Sequence, residues 1–288
     1  MTVIENKQFD EERALYNLKD AEVKNCVFAG PADGESAFKE ARNVEISDCN
    51  FKLRYPLWHV KGFKMSDSNM ADTARAAIWY AADGVITGST LGGIKAVREC
   101  SNIEMQNCRI DSQEFGWHSM NISLKDSQIN SEYVFMNSDN VVLENVKMTG
   151  KYSFQYTNDL RIENSELDTK DAFWHSKNAV VKDSVIKGEY LGWYSEGLTL
   201  INCRIIGTQP MCYCKDLRLI NCTMEDCDLA FEYSDVTAEV KGHIDSVKNP
   251  RSGKITADSI GEIIRENAVV KCNAEIICNE KDTLLKAV

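Results

Sequence analysis

The chain has 288 residues, 43% of them apolar, and a formal net charge of −11 at pH 7. Four Pro and scattered Gly provide no linker, so we expect one β-helix domain over residues 1–288. The negative charge argues against nucleic acid or a membrane surface as a partner, because binding to phosphates depends on Lys and Arg.

Residues 1–20 form the first segment of the predicted domain. The first ten lack the basic and apolar parts of a secretory signal, and no apolar run in the chain reaches membrane-spanning length. We therefore expect a cytoplasmic protein. Residues 10–20 favour either a short capping helix or a degenerate repeat, since Arg13–Tyr16 is similar to Asp171–Trp174.

Residues 21–234 carry a repeat with a step of nineteen positions. A small side chain marks the same place in each copy after Ser89, at Cys108, Ser127, Val146, Ser165, Ser184, Cys203 and Cys222. Because the step is constant, each copy advances the same distance along one axis, which is typical of a solenoid. Here one copy is called a rung.

Each rung begins with apolar residues two apart, such as Leu217 and Leu219, which indicates a strand. Its second half is aromatic and β-prone, so we predict further strands at Tyr55–His59, Ala76–Tyr80, Glu114–His118, Asp171–His175 and Tyr190–Tyr194. A leucine-rich solenoid is the alternative, but so short a rung leaves little room for a helical return. We predict an all-β, single-stranded, right-handed parallel β-helix of about eleven or more rungs, capped at both ends.

Several phrases resemble a bacterial family of unknown function in the pectate-lyase-like β-helix superfamily. They are Gly34–Glu40, Tyr55–His59, Lys151–Tyr156, Thr169–Asn178 and Gly188–Tyr194. The resemblance covers nearly the whole chain and implies the fold. It brings no established activity, so it assigns no catalytic residue.

Cysteines fall mainly at the small repeat position, where Ser is the usual alternative. Small reduced side chains in a stack explain that pattern better than disulfides. Cys212 and Cys214 lie two apart, but no further Cys points with them, so we expect no zinc, no other metal and no cofactor. Residues 235–288 lose the repeat, and we expect irregular rungs and a cap there.

Stacked rungs place equivalent residues in columns about 4.8 Å apart. One column contains every Trp: Lys39, Trp58, Trp79, Arg98, Trp117, Met136, Gln155, Trp174, Trp193, Cys212 and Phe231. The next contains three of the four His: Glu40, His59, Tyr80, Glu99, His118, Asn137, Tyr156, His175, Tyr194, Tyr213 and Glu232. The preceding column, which includes Phe38, Leu57 and Phe173, is apolar and is predicted to lie inside.

Alternation leaves two alternatives for these columns. In the first, the Trp column faces solvent and the next column points inward or sits at a bend. Sugar rings would then stack on Trp, and cations would hold acidic groups, which predicts ligand binding by Lys39, Trp58, Trp79, Arg98, Trp117, Tyr156, Trp174, Trp193 and Tyr194. In the second, the Trp column packs inward and the His column lines the surface, which predicts acid–base catalysis by Glu99, His118, Tyr80 and His175.

The leading functional hypothesis is binding of an acidic oligosaccharide, with lyase, isomerase or hydrolase activity left open. Glu40 and Glu99 lie three rungs apart, roughly 14 Å, which is too far for a glycosidase pair. The alternative hypothesis is a non-catalytic scaffold whose aromatic columns are core or a protein interface. A homo-oligomer is also left open.

Overall fold

The computed structural model describes residues 2–30 and 34–279. Those residues form 27 β-strands and no helix, and they fold as a parallel β-helix with a period close to 19 residues, which confirms the predicted fold class. Accordingly, the described residues contain no helix of the length and apolarity that a membrane crossing requires. Two compact units are present, Met1–Met148 and Thr149–Val288.

The first unit is built from short paired strands. They are β1 (Thr2–Glu5), β2 (Gln8–Phe9), β3 (Lys19–Lys24), β4 (Val27–Phe28), β5 (Arg42–Ser47), β6 (Asn50–Phe51), β7 (Leu57–Trp58), β8 (Lys61–Ser66), β9 (Asn69–Met70), β10 (Ile78–Trp79), β11 (Ala82–Thr87), β12 (Thr90–Gly92), β13 (Val97–Arg98), β14 (Ser101–Gln106), β15 (Arg109–Asp111), β16 (Met120–Glu132) and most of β17 (Asp139–Lys151).

The second unit contains the later strands, which lengthen toward its C-terminal part. They are β18 (Asn158–Glu163), β19 (Glu166–Lys170), β20 (Val180–Lys182), β21 (Val185–Lys187), β22 (Thr199–Ile201), β23 (Arg204–Ile206), β24 (Leu217–Glu225), β25 (Asp235–Lys248), β26 (Ser252–Ile264) and β27 (Glu275–Cys278).

The pairing is parallel and its register follows the repeat. Ile78 of β10 pairs with Val97 of β13, which lies one repeat step further along the chain. Leu57 of β7 pairs with Ile78, which lies two positions beyond one repeat step, so this rung has two extra residues. Parallel strands joined by crossovers of this kind are right-handed in nearly all proteins.

Left-handed residues turn the chain between strands. Asn107, with φ of 55°, separates β14 from β15 and lets the next residue, Cys108, point into the core. The amide of Cys108 donates to Ser127 Oγ at 2.9 Å, and Ser127 Oγ donates to Lys125 O at 2.6 Å. The small ladder is therefore hydrogen-bonded inside the rungs, as buried polar groups require.

The interior is packed by equivalent side chains from successive rungs. Phe28 and Phe51 are buried and stack with ring centroids 4.8 Å apart. All eleven cysteines are free thiols, and nine of them are buried. Burial raises the pKa of the Cys49 thiol to about 11, which keeps this thiol protonated and unreactive.

The N-terminal segment forms a rung and not a capping helix. Strands β1 and β2 pair with β3 and β4, and residues 11–17 form turns between them. Beyond Ser234, strands β25 and β26 are long and pair in parallel with a shifted register. The single-domain assignment stays a prediction.

Candidate functional site

Two neighbouring rows of side chains reach the surface on each unit. The tryptophan row is Lys39, Trp58, Trp79, Arg98 and Trp117 in the first unit, and Gln155, Trp174 and Trp193 in the second. The corner row is Glu40, His59, Tyr80, Glu99 and His118 in the first unit, and Tyr156, His175, Tyr194 and Tyr213 in the second. Gln155 is buried, most other members are half-buried, and Tyr80, His118, Tyr156, His175 and Tyr194 are exposed.

A backbone bend explains why adjacent residues both face outward. Corner-row residues have left-handed backbones, with φ of 57° at His59 and 51° at Tyr80. The following residues, Val60 and Ala81, are buried. The chain therefore turns inward only after the corner row. The tryptophan row faces solvent and the corner row sits at a bend, as the first predicted alternative described. The corner row also lies at the surface, as the second described.

In the first unit the indoles of the tryptophan row form a closed stack. Trp58 and Trp79 lie with centroids 5.3 Å apart and planes 10° from parallel. Lys39 Nζ lies 3.9 Å from the Trp58 centroid, and the Arg98 guanidinium carbon lies 5.1 Å from that of Trp79. Each ring thus has an indole on one face and a cation on the other. A ligand would reach ring edges and not ring faces.

Tyr80, Glu99 and Arg98 form one hydrogen-bonded group. Arg98 Nε donates to Glu99 Oε1 at 2.9 Å. The hydrogen bond with Glu99 raises the pKa of Tyr80. Burial raises the pKa of Glu99, but hydrogen bonds with Tyr80 and Arg98 outweigh it and hold that pKa below its ordinary value. At neutral pH the phenol keeps its proton and the carboxylate stays ionised.

The two His residues beside this group have aromatic neighbours. His59 stacks on Tyr80 at 5.0 Å, and His118 meets Trp117 edge to face at 6.2 Å. Within the described part of the chain, no hydrogen bond joins the side chains of His118 and Glu99. The structure therefore brings together Tyr80 and Glu99 of the predicted catalytic set, and it does not join His118 to them.

In the second unit the corner row is a continuous stack of rings. Tyr156 and His175 lie 4.9 Å apart, His175 and Tyr194 lie 5.0 Å apart, and Tyr194 and Tyr213 lie 4.8 Å apart. His175 thus has a Tyr on each face, and among the described residues no carboxylate forms an ion pair with it. Its predicted catalytic role stays a prediction.

The indoles of the second unit are anchored differently from those of the first stack. Trp174 and Trp193 stack at 5.5 Å, and their Nε1 atoms donate to Tyr190 O at 2.7 Å and Gln209 O at 2.8 Å. In contrast, Nε1 of Trp58 is buried and has no hydrogen-bond partner in the part of the chain that the structure describes.

A surface cleft of about 410 Å³ lies on the first unit, where sequence reasoning predicted no site. Its lining residues come from three successive rungs: Asn69 to Asp72, Thr90 with Gly92 to Ile94, and Asp111 with Gln113. The two extra residues between Met70 and Leu91 form a loop here, with Ala74 N donating to Ala71 O at 2.9 Å. The signal in the sequence was the longer step between Ser68 and Ser89, one of two steps that exceed nineteen residues; the other joins Cys26 and Cys49.

The cleft lies close to the tryptophan row. Ile94 lines it, and the next residue, Lys95, lies 5.1 Å from the Trp117 ring. On the other side, Tyr55 N donates to Arg75 O at the end of the loop, and the Tyr55 ring lies 5.6 Å from that of Trp79.

The chain belongs to the family described as protein of unknown function (DUF3737), whose model matches residues 2–277. This membership agrees with the resemblance seen in the sequence. None of the curated proteins matches the chain.

Among solved structures, the chain is similar to the catalytic domain of a GH87 α-1,3-glucanase crystallised with tetrasaccharides, with 8% identity and a TM-score of 0.39. This match covers 96% of the chain and 63% of the glucanase domain. A surface adhesin of Streptococcus pneumoniae, PfbA, matches at 9% identity and a TM-score of 0.35, over 91% of the chain and 79% of the adhesin.

The A-module of the Azotobacter vinelandii mannuronan C-5 epimerase AlgE6 matches at 9% identity and a TM-score of 0.30. This match covers 95% of the chain and 88% of the A-module.

Proposed function

We propose that the protein binds an oligosaccharide and that the corner rows hold it. The observation that carries this proposal is the row of polar ring edges at the surface. Tyr156, His175 and Tyr194 are exposed and follow one another at 4.9 and 5.0 Å. Phenol and imidazole groups donate and accept hydrogen bonds. A regular row of such groups suits an extended ligand that carries hydroxyls along its length.

The backbone of the corner row supports a role beyond turning the chain. A left-handed conformation costs roughly 1–2 kcal/mol for a residue with a side chain, and Asn and Asp accept it best. The other corner of the rungs uses such residues, for example Asn107 and Asn221. The corner row uses His and Tyr instead, and ring stacking offsets part of the cost, at about 0.5–1.5 kcal/mol per pair. Backbone strain of this kind is common at functional sites.

Stacking also orders the row before a ligand arrives. His175 lies between two Tyr rings whose planes are 6° and 7° from its own. Side chains that are already ordered lose little conformational entropy on binding. The corner row can therefore contribute most of its hydrogen-bond energy to affinity.

For a ligand held by the first-unit corner row, Lys39 is the cation of the tryptophan row that suits an acidic unit. Lys39 lies over Trp58, and in the described part of the chain no carboxylate lies within ion-pair distance of it. Arg98 and Lys95 are already paired with Glu99 and Glu114, at 2.9 and 3.0 Å. We therefore place the acidic unit at Lys39.

We propose that the protein binds the oligosaccharide and does not catalyse a reaction on it. General acid–base catalysis needs groups that exchange a proton near the working pH. The mutual hydrogen bond raises the pKa of Tyr80 and contributes to the low pKa of Glu99, which moves both away from neutrality. A cytoplasmic location stays part of this proposal. Free thiols are typical of proteins in a reducing compartment.

The test removes polar edges and keeps the rings. The variant Tyr156→Phe/His175→Phe/Tyr194→Phe is titrated with neutral and uronate-containing oligosaccharides in a calorimeter, beside the wild type. We expect at least a ten-fold weaker affinity, which equals about 1.4 kcal/mol, with an unchanged melting temperature. Tyr190→Phe is the control, since Tyr190 is half-buried, lies in the same unit and belongs to neither row.

Lys39→Met should weaken only the uronate-containing ligands. If no oligosaccharide binds the wild type, or if the triple variant binds equally well, the proposal fails. In that case, a larger assembly seen by light scattering would favour the scaffold alternative, and a strict monomer would argue against it.

A further inference from the structure

We infer that the cleft of the first unit is a separate binding site for one neutral sugar unit. This inference goes beyond the corner rows and does not rest on them. The cleft, at about 410 Å³, falls within the range of small-molecule sites. It lies where a loop of two extra residues, between the paired residues Met70 and Leu91, interrupts the regular stack of rungs.

Close contact between two rungs shapes the cleft. A Cβ at Gly92 would lie 2.7 Å from Met70 O, and a Cβ at Gly93 would lie 2.9 Å from Asp72 O. Gly93 also has φ of +79°. Only glycine fits both places, so the wall here is flat backbone. Ile94 adds an apolar side chain that is 36% exposed. A pyranose ring has an apolar C–H face that such a wall can cover.

Polar groups of both kinds line the same cleft. Asp111 Oδ1 accepts from Asn130 at 3.1 Å, which leaves its second carboxylate oxygen for a ligand. The Asn69 amide nitrogen donates to Asn50 at 3.3 Å and leaves its carbonyl oxygen. Gln113 Oε1 accepts from a backbone amide at 2.6 Å and leaves its NH₂ group as a donor. Asp72 and Thr90 add a carboxylate and a hydroxyl.

The balance of charge selects a neutral ligand. Two carboxylates line the cleft, and none of its lining residues is Lys or Arg, so a uronate or a phosphate would be repelled. A bound metal is not indicated either, because the described residues contain no group of three or more His, Cys, Asp or Glu that could hold one. Carboxylates, amides and a hydroxyl around an apolar wall match the alternating hydroxyls of a hexose.

The test uses monosaccharides, which are too short to span a corner row. Saturation-transfer NMR is recorded with methyl glycosides of D-glucose, D-galactose and D-mannose, and with D-glucuronate. We expect at least one neutral glycoside to bind, and glucuronate to bind at least ten-fold more weakly. Asp111→Asn and Asp72→Asn, both at exposed positions, should each weaken the neutral glycoside about ten-fold, since a charged acceptor forms a stronger hydrogen bond with a sugar hydroxyl than a neutral one.

Asp168→Asn is the matched control, because Asp168 has the place of Asp111 in its own rung and lies in the second unit, away from the cleft. His59→Phe/Tyr80→Phe should leave glycoside binding unchanged, which separates this site from the corner row. No binding of any neutral glycoside, unchanged binding in both cleft variants, or displacement of the sugar by CaCl₂ would each overturn the inference.

Discussion

The rungs around Trp79 and those around Trp193 both place a Trp at the surface, but with different backbone conformations. At Leu57–Trp58, Ile78–Trp79 and Val97–Arg98 the chain forms three paired strands. At Asp171–His175 and Tyr190–Tyr194 it forms turns, so the strands predicted there are wrong. The same holds for Glu114–His118, apart from one bridge between Trp117 and Arg98. Both backbones place a Trp on the surface beside a left-handed corner.

The residue that precedes the tryptophan row has a different backbone conformation in the two kinds of rung. Ile78 and Val97 are β-branched and stay in extended conformation, whereas Gly192 and Phe173 have φ of 76° and 63°. A β-branched side chain resists the left-handed region, and glycine accepts it without cost. In these four rungs the φ of the inward residue separates strand from turn. Leu57 also lies in a strand without being β-branched, so branching at Cβ favours the strand and is not required for it.

The largest expected effect comes from forcing a strand residue into a turn rung. Gly192→Val places a β-branched residue at φ of +76°, with the new Cβ 3.1 Å from Leu198 Cδ2 and 3.3 Å from Met211 Cγ. We expect a loss of about 3 kcal/mol of unfolding free energy, from backbone strain together with crowding. Urea denaturation followed by Trp fluorescence measures it.

Gly242→Val is the matched control. Gly242 has φ of +82°, and a Cβ there meets nothing within 4 Å, so this variant isolates the backbone cost of roughly 1–2 kcal/mol. If Gly192→Val costs no more than this control, the rung has converted to a strand at low cost. The comparison between the two kinds of rung would then lose its physical basis.

A smaller effect separates the two indole anchors. Trp193→Phe removes the hydrogen bond from Nε1 to Gln209 O, while Trp58→Phe removes an N–H without a described partner. Both lose similar ring area, so Trp193→Phe should cost about 1 kcal/mol more than Trp58→Phe. The same unfolding measurement applies. Trp174→Phe should match Trp193→Phe, and equal losses at Trp58 and Trp193 would show that the anchor contributes nothing.

The fold was predictable because its information is periodic. A repeat step of nineteen residues in most rungs, alternating apolar residues and a column of small side chains all predict a parallel β-helix, and the structure has all three. The left-handed backbone of the corner row was harder to predict, since no neighbouring residue in the sequence indicates this conformation at His59 or Tyr80. Only the stack of equivalent rings from successive rungs stabilises that conformation, and a stack is a property of the assembled solenoid.

The orientation of the rings and the presence of the cleft could not be predicted from the sequence either. The column of Trp left the exposure of this ladder open, and the stacking of Trp58 on Trp79, with Lys39 and Arg98 outside, depends on three-dimensional packing. The cleft follows from two inserted residues and from Gly92 and Gly93, whose roles appear only when neighbouring rungs are placed in contact. The predicted roles of the ligand-binding and catalytic residues stay predictions.

The smallest effect compares two tyrosines of the corner row. A hydrogen bond with Glu99 is the main cause that raises the pKa of Tyr80, whereas burial is the main cause for Tyr213. Glu99→Gln should therefore return the pKa of Tyr80 toward its ordinary value of about 10 and leave that of Tyr213 unchanged. Ultraviolet difference titration of tyrosinate, with Tyr80→Phe and Tyr213→Phe to assign the steps, measures both.

The sign of the linkage follows from the direction of the Tyr80 shift. Because the folded pKa lies above the unfolded one, the contribution of Tyr80 to stability is complete below the unfolded pKa and is lost as the pH rises through the folded pKa. Glu99→Gln should shrink this alkaline window. A Tyr80 titration that does not respond to Glu99→Gln would mean that the Tyr80–Glu99 hydrogen bond does not form, and the first-unit corner would then resemble the ring stack of the second.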